Sequence, residues 1–287
     1  MAGFEFYGEG PPGVDLEELT GKLIVLEGTD GVGRSTQIAL LKPWLENHGH
    51  AVLVTGMTRS ALAGDGIKRA KEGHTLSGST MSLFYATDFA DRLENEMIPA
   101  LRAGFVVLTD RYIYTLMARS IVRGADPDWI RKVYAFALRP HVVYYLRTQI
   151  EHLIPRVLHS TGFDFWESGA DLRLGETMYD SFVEYQTRLL KQFDAMTEPF
   201  NFEVIDASSL PTLRNRGNSA RLWVRPAHQL CPSRRSCLGV SNQRSVAWPH
   251  LRAGPTWRQQ TPAFLKSTER FDFPERSSEV SSLSWGS

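Results

Sequence analysis

Over residues 21–208, short apolar runs alternate with longer stretches in which apolar residues return every three or four positions. The runs at 23–26, 51–55, 105–109, 141–146 and 202–205 are four to six residues long and bounded by polar or turn residues. They read as buried strands. The stretches at 35–48, 79–102, 128–137, 150–159 and 176–196 predict helices. Strands separated by helices of this length need right-handed crossovers and so build a parallel sheet. The expected fold is α/β: a three-layer domain over 21–208, with a parallel sheet flanked by helices. Pro43 falls inside the first helical stretch and predicts a kink there or an early end to its regular part.

The flanks have another character. Residues 1–20 begin MAGFEFYGEGPPG, a short Pro/Gly-rich acidic stretch that predicts a loose leader rather than a signal peptide. Formal charge is balanced overall, but residues 1–210 carry 20 Lys/Arg against 28 Asp/Glu, and residues 211–287 carry 12 against 4. That last part holds 12 serines and a single lysine, and shows no sustained period. A basic Ser/Arg/Pro-rich disordered tail over 209–287 is the expectation. The abrupt change just after a strand also fits loss of the coding frame near residue 209. Such a tail leaves nucleic-acid binding open in principle, but no nucleic-acid partner is expected. No run approaches the roughly 18 apolar residues of a membrane span, so no membrane is expected either. The two cysteines, Cys231 and Cys237, both lie in the tail, which fits a cytoplasmic setting.

The chemistry starts at the first strand. Residues 26–37 read LEGTDGVGRSTQ, which meets the phosphate-loop pattern Gly-x4-Gly-Lys-[Ser/Thr] at Gly28, Gly33 and Ser35 but places Arg34 where the pattern has lysine. Glycines at 28, 31 and 33 let the backbone turn its N–H groups inward, and Ser35 opens a helix whose positive end faces the same hollow. A polyphosphate such as that of ATP suits it. The N–H groups of Gly31, Val32, Gly33, Arg34 and Ser35 would hold the β-phosphate and Arg34 would reach the β- and γ-phosphates. The Ser35 hydroxyl would face Mg²⁺, with Thr36 beside the α-phosphate. Arginine is wider and planar where lysine is compact, so the exchange is not neutral.

A second motif, FVVLTDRY at 105–112, is a strand that ends in two charged residues. Ligands of open parallel sheets sit beyond the carboxyl ends of the strands, so Asp110 and Arg111 point to the same site as the phosphate loop. Asp110 is a second candidate metal ligand.

Three segments together, EGTD at 27–30, PALRAGFVVLTDRY at 99–112 and VIDA at 204–207, resemble the thymidylate kinase family of P-loop nucleoside monophosphate kinases. The resemblance covers 21–208. It implies transfer of the ATP γ-phosphoryl group to dTMP to give dTDP, with Mg²⁺, by a homodimer. By position, Asp30 resembles the carboxylate that holds the acceptor's 3′-hydroxyl. Arg59 resembles an arginine that grips the acceptor phosphate, as does Arg111. Phe84 resembles the phenylalanine that stacks on the pyrimidine. Arg156 lies in the helix that becomes the family's mobile lid and is an ATP-side candidate, although a solvated helix charge fits it equally.

Departures from the family cluster on the acceptor side. Ser60-Ala61 replaces Glu-Pro after Arg59. The arginine that contacts the base falls on Phe89, and Arg92, nearly one helical turn on, is placed to reach the same spot. Thr115 stands for the first serine of Ser-x-x-Ala-Tyr-Gln, and Arg119 and Ser120 replace its Tyr and Gln. These changes leave open a related kinase with a different acceptor, while Arg34, a lid segment at 150–173 poor in basic residues and the tail in place of a final helix leave open a nucleotide-binding protein with little catalysis.

Overall fold

The computed structural model describes residues 3–73, 77–160 and 162–208. The tail expected after residue 209 lies outside them. Five strands, β1 Lys22–Glu27, β2 Val52–Gly56, β3 Val106–Asp110, β4 Val142–Arg147 and β5 Glu203–Asp206, form one sheet in the order β2-β3-β1-β4-β5. Every pairing is parallel. The helices are α1 Arg34–Asn47, α2 Gly64–Gly73, α3 Gly78–Arg92, α4 Ile98–Arg102, α5 Ile113–Val122, α6 Pro127–Val133, α7 Ile150–Leu158 and α8 Met178–Thr197. A π-helical stretch at Leu93–Met97 joins α3 to α4, so the single helix expected over 79–102 changes its winding midway.

The strands alternate between two cores, as a pleated sheet covered on both faces must. Leu23, Val25, Val107, Val143 and Tyr145 pack with residues of α3, α5 and α8, including Phe89, Met117 and Phe193. Ile24, Leu26, Leu108, Tyr144 and Leu146 pack with Ile38 and Leu41 of α1 and with Leu153 and Val157 of α7. This is the three-layer arrangement expected.

Of the two outcomes expected at Pro43, the early end is not seen: α1 runs through it to Asn47. Pro43 and Ala39, whose carbonyl loses its helical partner, are both exposed, where water can serve instead. The leader is not loose. Phe6 bridges Leu138, Tyr7 and Gly8 donate their N–H groups to Ala137 and Ala135, and the Tyr7 and Tyr114 hydroxyls meet at 2.6 Å. Phe4 and Leu19 are buried in the first core. A few apolar side chains anchor a segment whose Pro and Gly content alone suggested mobility.

Candidate active site

The loop between β1 and α1 turns at the carboxyl end of the sheet. Gly33 caps α1 with φ at 103°, a left-handed conformation that a side chain rarely adopts. At Gly28 a Cβ would sit 2.7 Å from the Leu146 carbonyl oxygen, so only glycine lets the loop lie this close to β4. Val32 is buried in the second core and pins the loop from within. The exposed backbone of Gly31 lies above it, with Ser35 exposed and Thr36 half-buried on the first turn of α1.

Arg34 does not project away from the loop. Its guanidinium is buried; Nε donates to Asp110 Oδ1 at 2.8 Å and Nη1 donates to the Gly28 and Thr29 carbonyls. The Ser35 hydroxyl donates to the other Asp110 oxygen at 2.9 Å. The two candidate metal ligands, Ser35 and Asp110, therefore meet directly. An alcohol and a carboxylate oxygen side by side suit a hard cation that takes its remaining ligands from water and phosphate, and Arg34 competes for the carboxylate from the far side. Among the described residues there is no group of three or more acidic, His or Cys side chains that could hold a metal by themselves.

Asp30 is the second centre. It is 3% exposed, and its Oδ1 accepts from Arg111 Nη2. Its Oδ2 accepts from Arg119 Nη2 at 2.6 Å, and Arg34 Nη2 stands 4.0 Å away. Three guanidinium groups thus stand within 4.0 Å of one carboxylate, and one of them, Arg34, is shared with Asp110. Arg111 is the residue most firmly fixed. Its φ is 69°, a strained value for a non-glycine residue. Its N–H donates to the Leu26 carbonyl at 3.0 Å, and its carbonyl accepts from the Thr109 hydroxyl at 2.7 Å. Burial and the neighbouring charge of Arg119 lower its pKa. Its Nε–H is buried and meets no acceptor.

Beneath these groups lies Glu27, wholly buried. It accepts the N–H groups of Tyr112 at 2.8 Å and Thr115 at 3.3 Å, and the Thr115 hydroxyl. It thereby ties β1 to the start of α5. Burial pushes its pKa up to about 7, against the opposing pull of Thr115, Tyr112 and Arg34.

The remaining candidates are spread around this centre. Arg59 is exposed, and its guanidinium carbon lies 3.5 Å from where a Cβ on Gly56 would be, beside the end of β3. Phe84 is 36% exposed on α3 and lies against Gly66 of α2. Arg156 donates to the Ala207 and Ser208 carbonyls, at 2.9 Å each, and to Val32 O at 3.4 Å. It joins the phosphate loop to the segment after β5 and is not a solvated charge. Arg92 differs from expectation. It is 1% exposed and gives Nε to Asp88 at 3.0 Å, because a buried guanidinium needs a counter-charge and Asp88 lies one turn back. It does not reach outward toward an acceptor base. The Thr115 hydroxyl is likewise engaged by Glu27.

In the sequence Glu27 has no role of its own, and Arg119 shows only as a departure from the family's Tyr. The four-residue spacing of 111, 115 and 119 was the available signal, since it puts the last two on one face of α5 above the strand ends.

A glycine turn from a strand into a helix, a hydroxyl and a carboxylate beside it, and arginines at the neighbouring strand end define a P-loop nucleotide kinase. The comparisons with known proteins agree. The family model for thymidylate kinase matches residues 26–209. The chain is 39% identical over 193 residues to a Saccharolobus solfataricus protein named "Probable thymidylate kinase 2", covering 66% of this chain and 90% of that one. It is 44% identical over 201 residues to the thymidylate kinase of Clavibacter sepedonicus, covering 66% and 88%. It is 31% identical over 198 residues to "Probable thymidylate kinase" of Pyrococcus horikoshii, covering 67% and 90%. The chain belongs to the thymidylate kinase family. It is accordingly an ATP-dependent phosphotransferase. No helix among the described residues is long and apolar enough to cross a membrane.

Proposed function

We propose that this chain transfers the γ-phosphoryl group of ATP to dTMP, giving dTDP in nucleotide biosynthesis, as a homodimer in the cytoplasm. The observation that carries the reading is Arg111: a strained residue held from both sides, beside the phosphate loop, with a buried Nε–H that no group accepts. Leaving such a donor unpaired costs about 1–3 kcal/mol; Nε itself is closed off, and the 20% of the side chain that is exposed is what a phosphate oxygen of the acceptor would meet.

The roles follow from position. N–H groups of Gly31–Ser35 and the start of α1 hold the donor's phosphates, with Gly28 shaping the turn and Thr36 nearest the α-phosphate. Arg34 lies buried between the loop and Asp110, and reaching the β- and γ-phosphates requires its guanidinium to leave the Gly28 and Thr29 carbonyls. Ser35 and Asp110 would hold Mg²⁺, which when bound neutralises phosphate charge. Arg111 and Arg59 grip the acceptor phosphate, Asp30 takes the acceptor's sugar hydroxyl, and Phe84 stacks on its base. Arg156 fixes the segment after β5 against the loop. The acceptor oxygen is already ionised at neutral pH, so the chemistry needs charge and alignment rather than a strong base.

The test is direct. Purified protein with ATP, Mg²⁺ and dTMP is expected to form dTDP and ADP in equal amounts, and to stop doing so when Arg111 is replaced by alanine. ATP binding without any dTDP would overturn the reading.

A further inference from the structure

The segment after β2 holds Arg59 with Ser60-Ala61 following it in place of Glu-Pro. Thr58 has φ at 58°, so the chain turns through the left-handed region just before Arg59. Asp88 of α3 spans this turn. One of its oxygens accepts the Thr58 N–H at 3.1 Å and the other accepts the Ser60 N–H at 3.0 Å. These are the two amides that flank Arg59. Asp88 is 1% exposed, and Arg92 donates Nε to it at 3.0 Å. Arg92 Nη1 points to the Thr55 hydroxyl at 3.5 Å, and Thr55 donates in turn to Glu96 at 3.0 Å. On the far side the Ser60 hydroxyl donates to Asp91 and accepts the N–H groups of Leu62 and Ala63.

We infer that Asp88 and Arg92 are positioning residues: they clasp the backbone on both sides of Arg59 and hold its guanidinium toward the acceptor phosphate. A buried ion pair gives little net stability. Its carboxylate, pointed at the N–H groups of Thr58 and Ser60 on either side of Arg59, gives one defined geometry. The arginine that the resemblance placed near the acceptor base thus serves the acceptor phosphate instead, at second hand. The clasp rests on the proposed reaction only in what Arg59 grips.

Asp88→Asn keeps the shape but turns an N–H₂ toward one of the two amides. It is expected to raise the KM for dTMP about tenfold, with kcat and the KM for ATP within about twofold of the parent. Arg59→Ala is expected to do at least as much, and the double variant no more than Arg59→Ala alone. Hydrogen exchange of peptides covering 57–63 is expected to quicken in Asp88→Asn, with 28–35 unchanged. Arg92→Lys is expected to keep a near-normal KM for dTMP and Arg92→Met to raise it, again only when Arg59 is present. Fully additive effects of Asp88→Asn and Arg59→Ala would overturn the inference, as would unchanged exchange at 57–63 or an equal rise in both KM values. Exchange needs no turnover. A clasp seen there in a protein that phosphorylates no monophosphate would condemn the proposed reaction and leave the clasp standing.

Discussion

Replacing Glu27 by glutamine isolates the charge at the base of the site. The parent carboxylate is wholly buried and accepts from Tyr112 and from Thr115 twice. Burial raises its pKa from 4.5 to about 7. Because the folded value is the higher one, the stability tied to its protonation is fully present below pH 4.5 and lost as pH rises through about 7. That change in pKa corresponds to about 3 kcal/mol. Glutamine has no such proton to lose. The stability of Glu27→Gln relative to the parent is therefore expected to shift in the variant's favour by about 3 kcal/mol between pH 4.5 and about 8. Urea unfolding of both proteins in closely spaced pH steps, read from midpoint and slope, measures it. A difference that is flat with pH, or that moves toward the parent, would refute the argument. Turnover is expected to move the other way at neutral pH and above. The amide group cannot accept all three hydrogen bonds, and the turn that aims Arg111 loosens.

Arg111→Ala is expected to lower turnover about 100- to 1,000-fold while ATP affinity, measured by calorimetry, stays near normal. Arg34→Lys is expected to lower kcat at saturating ATP, because a compact ammonium lacks the spread by which Nε reaches Asp110 while Nη1 reaches the Gly28 and Thr29 carbonyls; a clear gain in rate would count against it. Tyr7→Phe removes the hydroxyl contact to Tyr114 at 2.6 Å. It is expected to cost about 1 kcal/mol, seen as a small fall in Tm, with turnover unchanged.

The sheet was legible because its strands are continuous apolar runs. Expected 23–26, 51–55, 105–109, 141–146 and 202–205 became Lys22–Glu27, Val52–Gly56, Val106–Asp110, Val142–Arg147 and Glu203–Asp206. Two helices, α2 and α5, went unmarked. In α5, Ile113, Tyr114, Thr115, Leu116, Met117 and Ala118 are all buried, so no polar face marks it as a helix. The ten residues of α2 include three glycines, which argue against a helix locally. The phosphate loop and Asp110-Arg111 stood out by spacing. The partners that give them geometry did not. Glu27 reads as the last residue of a strand until Tyr112 and Thr115 are seen to donate to it, and Arg92 reads as a contact to the acceptor base until Asp88 is seen to hold it beneath Thr58 and Ser60.

A panel of nucleoside monophosphates decides whether the reaction is that of a thymidylate kinase. With saturating ATP and Mg²⁺, each monophosphate is supplied in turn and its diphosphate product is separated and counted. The account predicts that dTMP is phosphorylated with the highest kcat/KM of the panel. Preference for another acceptor, or ATP binding with no diphosphate formed from any member, would contradict it.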